Sequence, residues 1–177
     1  MTDKLPPSEL DYVRIDQALV AKAVEALDKA KDAGLKVVSA ESCTGGLVAS
    51  VLSEAPGAAE FFDGGFVTYT PEHKCIALKL DIELLDIYGP VSAEVATAMA
   101  LGALDCSEAD IAVAVTGVAG PDPDERGNPV GLVYLAGARR GEQCLGITRE
   151  YGDIGRSRIR YAATAEALTL IAHLADG

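Results

Sequence analysis

From Ile15 the apolar positions Ile15, Leu19, Ala23, Leu27 and Ala30 recur at helical spacing and stop at Gly34, a residue suited to ending a helix. The β-branched run Leu35–Ala40 follows and predicts a strand. Leu47–Leu52 returns to the helical period until Pro56-Gly57 breaks it. Gly65–Tyr69 reads as a second strand, and Thr70-Pro71 opens a helix with a cap residue followed by proline. Another helix runs from Val91-Ser92 to about Cys106. The stretch Ala109–Val115 is apolar throughout, as expected of a strand buried on both faces. Gly117–Pro129 is a loop rich in Gly, Pro and Asp. Leu132–Ala138 and Gln143–Glu150 flank Arg140-Gly141 as a hairpin, and a last helix extends from about Gly155 to Leu174. Strands and helices that interleave and then close with a hairpin predict an α/β fold: a three-layer α/β/α sandwich on a mixed, mostly parallel sheet ending in an antiparallel hairpin. Residues 1–14, with Pro6-Pro7, read as an N-terminal tail, and residues 15–177 as a single domain.

Composition narrows the function classes. A chain of 177 residues with 49% hydrophobic content can bury a real core and is not a disordered segment. Its 15 Lys and Arg against 27 Asp and Glu leave a formal charge of −12, which argues against a nucleic-acid partner, whose affinity needs clustered cations. No apolar run approaches the roughly 20 residues that span a bilayer, and the first residues lack a secretory signal, so a cytoplasmic protein with no membrane partner is expected. Cys43, Cys75, Cys106 and Cys144 are scattered without a C-x-x-C pair, and His73 and His173 supply no cluster, so neither a metal nor another cofactor is expected.

Three stretches could carry chemistry. Ser42 lies between a strand and a helix, where Thr44, Gly45 and Gly46 could bring backbone amides to a ligand as an oxyanion hole. The same residues could equally cap a helix and permit a turn. Cys43 is a rival nucleophile one position away. A base could come from His73 or Lys74 in the first turn after Thr70-Pro71, with Tyr69 near enough to relay a proton or orient the amine. A lysine serves only if its pKa falls towards 7–8, which the helix dipole alone cannot achieve. The second stretch, Thr116–Pro121, follows the apolar strand; Gly117, Ala119 and Gly120 allow close backbone approach to a ligand, although a plain turn would also explain them. The third is basic: Arg156 and Arg160 share a helix face at i and i+4 and could grip one phosphate, or form surface ion pairs.

Five segments, A-E-S-C-T-G-G at 40–46, G-G-F-V-T-Y-T-P-E-H-K at 64–74, Y-G-P-V-S-A-E-V-A at 88–96, T-G-V-A-G-P-D at 116–122 and P-V-G-L-V-Y at 129–134, resemble the CinA carboxy-terminal domain family in order and spacing. The resemblance covers about residue 15 to the end. Enzymatic members of the family are nicotinamide mononucleotide amidohydrolases. The resemblance thus implies hydrolysis of the carboxamide of nicotinamide mononucleotide to nicotinate mononucleotide and ammonia, through a serine acyl-enzyme. It matches the family's serine, tyrosine and lysine to Ser42, Tyr69 and Lys74. It also makes the Gly117–Gly120 loop a wall of the nucleotide pocket, and Arg156 and Arg160 phosphate contacts. Ile154-Gly155 separates Gly152-Asp153 from Arg156, a departure from the family's late G-D-R-x-x-x-R pattern. Family members tend to associate, so a homo-oligomer is expected. The alternative is a non-catalytic pyridine-nucleotide-binding or regulatory module of the same fold, which would keep the pocket without a working base.

Overall fold

The computed structural model describes residues 15–177; the tail expected at residues 1–14 lies outside them. Five strands form one sheet in the order β2-β1-β3-β4-β5. They are β1 (Val37–Glu41), β2 (Phe62–Val67), β3 (Ile111–Gly117), β4 (Leu132–Arg139) and β5 (Leu145–Glu150). Strand β1 runs parallel to both β2 and β3, whereas β3–β4 and β4–β5 pair antiparallel, the last as the expected hairpin. Helices α1 (Gln17–Asp32), α2 (Leu47–Ser53) and α7 (Arg156–Asp176) cover one face, while α4 (Pro71–Leu78), α5 (Ile82–Tyr88) and α6 (Ala93–Asp105) cover the other. A single turn, α3 (Ala58–Phe61), leads into β2.

Alternation along the strands explains why there are two unlike layers. In β3 the large residues Ile111, Val113 and Val115 point to the α1/α2/α7 side, and Ala112 and Ala114 point to the α6 side. Strand β4 repeats this, with Val133 and Leu135 on the first side and Ala136 and Ala138 on the second. Small residues on the second face let the alanine-rich α6 approach the sheet closely.

The same closeness makes Gly102 of α6 sensitive. A Cβ there would strike the backbone carbonyl of Leu78 at the end of α4. Gly102→Ala gains helix propensity of about 1 kcal/mol, but overpacking against a backbone atom costs about 1–3 kcal/mol. A net loss of up to about 2 kcal/mol is expected, read as a lower urea midpoint with an unchanged slope.

Two differences from the sequence expectation concern the region that carries the site. Strand β2 begins at Phe62, opposite Val37, three residues before the predicted Gly65. Its glycines are poor strand formers, yet Gly65 sits where a Cβ would meet Ala49 of α2 and the Ser39 hydroxyl, so packing requires glycine there. Helix α5 was not expected, although Asp81 caps it through the Glu83 amide and Gly89 closes it. Among the described residues no helix is long and apolar enough to cross a membrane.

Candidate active site

The carboxyl ends of the three parallel strands open onto one cavity of about 240 Å³. Its lining comes from the loop after β1 (Ser42, Cys43), Tyr69 in the β2–α4 connection, Lys74 of α4, the segment before α6 (Pro90, Val91), the end of β3 and the loop after it (Gly117–Gly120, Asp122, Asp124) and the first residue of α7, Arg156.

At its floor, Lys74 Nζ donates to Ser42 Oγ at 3.0 Å and to the Thr68 carbonyl at 2.8 Å. Lys74 is 1% exposed and Ser42 9% exposed. Thr70 caps α4 by accepting from the His73 amide, and Pro71 takes the first helical position. Lys74 therefore sits in the first turn with its side chain directed inward, beneath the carbonyl that ends β2. Neither of its partners carries a charge. Burial, uncompensated by a carboxylate at bonding distance, takes the Lys74 pKa down to about 8. The positive end of α4 acts in the same direction. A neutral amine can give one N–H to Thr68 and still present its lone pair to the Ser42 hydroxyl.

Cys43 is buried among apolar side chains, and that burial pushes its thiol up to about 11. At neutral pH it is held as the thiol, the less reactive form. His73, the rival base, contributes its backbone amide to the Thr70 cap.

Tyr69 does not meet Lys74. Just past β2, Thr68 is buried, whereas Tyr69, 57% exposed, faces the start of α7. There its hydroxyl accepts from Arg156 Nη2 at 3.0 Å, while Arg156 Nη1 donates to the Gly120 carbonyl at 2.7 Å. Arg156 thus ties the tyrosine to the glycine loop at the mouth of the cavity. Arg160, one turn on, goes elsewhere: its Nε and Nη2 donate to the Thr44 carbonyl at 3.2 and 2.7 Å, and it does not line the cavity. The two arginines share a helix face as expected but serve different loops.

In the loop after Ser42, Gly45 and Gly46 adopt φ of 60° and 90°, a left-handed pair that turns the chain into α2. Their amides are committed: Gly45 N–H donates to the Ser42 carbonyl at 3.0 Å and Gly46 N–H to Glu41 at 2.9 Å. The oxyanion role expected of Gly45 and Gly46 is therefore not open to their N–H groups. The Cys43 and Thr44 amides have no acceptor among the described residues. Gly117, Ala119 and Gly120 do line the cavity.

Sequence reasoning missed Glu41. It is wholly buried at the last position of β1 and accepts from the amides of Gly46, Val48 and Ala49. The available signal was a helix opening on glycine, which has no side chain to cap its own amides. Asp122 and Asp124, also on the cavity wall, were passed over as loop composition. Among the described residues no group of three His, Cys, Asp or Glu side chains is placed to hold a metal ion.

Comparison with known proteins shows what the chain and its fold are similar to. The model of the CinA C-terminal domain matches residues 18–175. The nicotinamide-nucleotide amidohydrolase PncC of Escherichia coli is 45% identical over 140 residues, 78% of this chain and 83% of that protein. A CinA-like protein of Synechocystis is 38% identical over 160 residues; these cover 90% of this chain but 38% of the longer relative. The chain spans about a third of the length of several such relatives. The crystal structure of the competence/damage inducible protein CihA from Agrobacterium tumefaciens superposes with a TM-score of 0.87 at 42% identity, covering 91% of this chain and 98% of that one. A CinA superfamily protein from Escherichia coli gives 0.84 at 29% identity, covering 97% and 99%. With the match running across nearly all the described residues, the chain belongs to the CinA C-terminal domain family.

Proposed function

We propose that this chain is a deamidase that hydrolyses the carboxamide of nicotinamide mononucleotide, releasing ammonia and nicotinate mononucleotide, through an acyl-enzyme on Ser42. The observation that carries the reading is the buried Lys74 amine, 3.0 Å from the Ser42 hydroxyl and without a counter-charge at bonding distance. The likeness to the nicotinamide-nucleotide amidohydrolase PncC supports the choice of substrate.

Neutral Lys74 takes the Ser42 proton as Oγ attacks the carboxamide carbon. The oxyanion that forms is met by the free amide of Cys43, which lines the cavity beside Ser42. The ammonium of Lys74 then returns its proton to the amide nitrogen, the C–N bond breaks and ammonia leaves. Water gives one proton to Lys74 as it attacks the ester, that proton passes back to Ser42 Oγ as the carboxylic acid departs, and the acid gives its remaining proton to solvent. Tyr69 is a wall of the site, not a relay.

The substrate is a zwitterion, with a cationic ring and an anionic phosphate. A wall carrying both Asp122 and Arg156 suits it. Arg156, the one of the two arginines that faces the cavity, is the phosphate contact. Arg156→Ala removes a charge-assisted hydrogen bond worth about 1.5–3 kcal/mol. KM for nicotinamide mononucleotide should rise about ten- to a hundredfold. KM for the unphosphorylated riboside should change little. Ammonia release from the two substrates, wild type beside the variant, tests both statements; binding of the nucleotide without ammonia release would overturn the reading.

A further inference from the structure

Helix α2 opens on Gly46, so its first amides need an acceptor from outside the helix. Serine or aspartate at that position would supply one at the surface. The fold instead uses Glu41, a wholly buried carboxylate, at the far greater cost of taking an ion out of water. What this arrangement adds is connectivity, because Glu41 is bonded covalently to Ser42. Its carboxylate accepts from Gly46 N–H at 2.9 Å, Val48 N–H at 3.0 Å, Ala49 N–H at 2.8 Å and the Ser39 hydroxyl at 3.3 Å. The side chain of the residue before the loop thereby grips the residue that ends it, and residues 42–46 become a closed ring.

The other side of that ring is held by a cation. Arg160 directs two donors to the Thr44 carbonyl, at 3.2 and 2.7 Å. In a trans peptide the carbonyl and the following N–H point in opposite directions. The Gly45 N–H of the same peptide duly reaches the Ser42 carbonyl at 3.0 Å. That peptide plane is fixed at both ends, so the middle of the loop that follows Ser42 is held in one shape. Ser42 itself is anchored to β3 through its N–H and the Val115 carbonyl at 2.9 Å.

We propose that Glu41 and Arg160 are a pair of positioning residues, a buried carboxylate and a guanidinium that hold the Ser42 loop from opposite sides by its backbone. The proposal rests on the reading of Ser42 as nucleophile. It sets Arg160 apart from Arg156: the first orients the loop, the second meets the substrate.

The test uses two readouts on the full chain. One is the rate at which a fluorophosphonate probe modifies Ser42, followed by mass; the other is ammonia release from nicotinamide mononucleotide and from its riboside. Glu41→Gln keeps size but turns an NH2 group against backbone donors, and Arg160→Met keeps the apolar stem. Each should slow Ser42 modification and kcat by about a hundredfold, equally for both substrates, with KM nearly unchanged. Arg160→Lys, which still offers a donor to Thr44, should recover part of both. If Arg160→Met instead raises KM for the nucleotide alone and labels normally, Arg160 is a phosphate ligand and the proposal falls. A Glu41→Gln chain that is folded and labels at the wild-type rate overturns it too. If Glu41→Gln fails to fold by circular dichroism, the two Arg160 variants decide the matter. A wild type that labels at Ser42 without deamidating overturns the substrate, and the labelling rates still judge the positioning pair. A wild type that does neither removes the Ser42 reading and this inference together.

Discussion

Ser42→Ala is expected to lower kcat for deamidation by about four to six orders of magnitude, the loss seen when a nucleophile is removed from a catalytic unit. The fold should survive. The change takes away one hydrogen bond, from Lys74, worth about 1 kcal/mol, while the backbone anchor from Ser42 N–H to Val115 stays. Nucleotide affinity measured by calorimetry should stay within a few-fold, because the phosphate contact proposed for Arg156 does not involve Ser42. The companion variant is Cys43→Ala. With the thiol pushed up to about 11 by burial, essentially none of it is thiolate at pH 7, and this variant should keep most of the activity. Inverted results, an active Ser42→Ala and a dead Cys43→Ala, would move the nucleophile by one residue.

Much of this site could be read from residue order, and the parts that could not share a physical cause. The β1 and β3 strands announced themselves through Val37-Val38 and the run Ile111–Val115. Pro71 after Thr70 marked the helix whose first turn carries Lys74. Sequence spacing also put Arg156 and Arg160 on one face. It could not say what that face meets, because the Gly120 and Thr44 carbonyls come from loops some 36 and 116 residues away. Backbone acceptors carry no residue-type signal at all, so the Thr68 carbonyl that holds Lys74 was invisible. Tyr69 shows the same limit. Proximity in sequence to Lys74 suggested contact, whereas its hydroxyl accepts from Arg156, 87 residues on. Glu41 looked like part of a motif, and only its burial beneath α2 reveals a structural charge.

Lys74→Met is expected to separate activity from stability in opposite directions. Loss of the base should lower kcat by about 10²–10⁴. In the wild type the required form is the neutral amine, so kcat/KM should climb with pH, bend near pH 8 and level off above it. Stability also rises with pH, but over the window between the folded and unfolded values. The folded chain holds Lys74 near 8, whereas the unfolded chain returns it to its ordinary 10.5. Between those values the unfolded state binds the extra proton, so wild-type stability rises with pH across that window. Below about pH 8 the whole cost of the buried amine is present, about 3 kcal/mol; above about pH 10.5 it is gone. Methionine relieves that cost but leaves the Thr68 carbonyl without its donor, a loss of about 1 kcal/mol. At pH 7 the inactive variant should therefore be the more stable by about 2 kcal/mol, and the gap should close and then reverse slightly as pH passes 10.5. Urea midpoints of the two proteins at pH 7 and pH 10.5 measure this directly. A variant no more stable than wild type at pH 7 would mean that Lys74 is not held against its charge, and the case for it as the base would go with it.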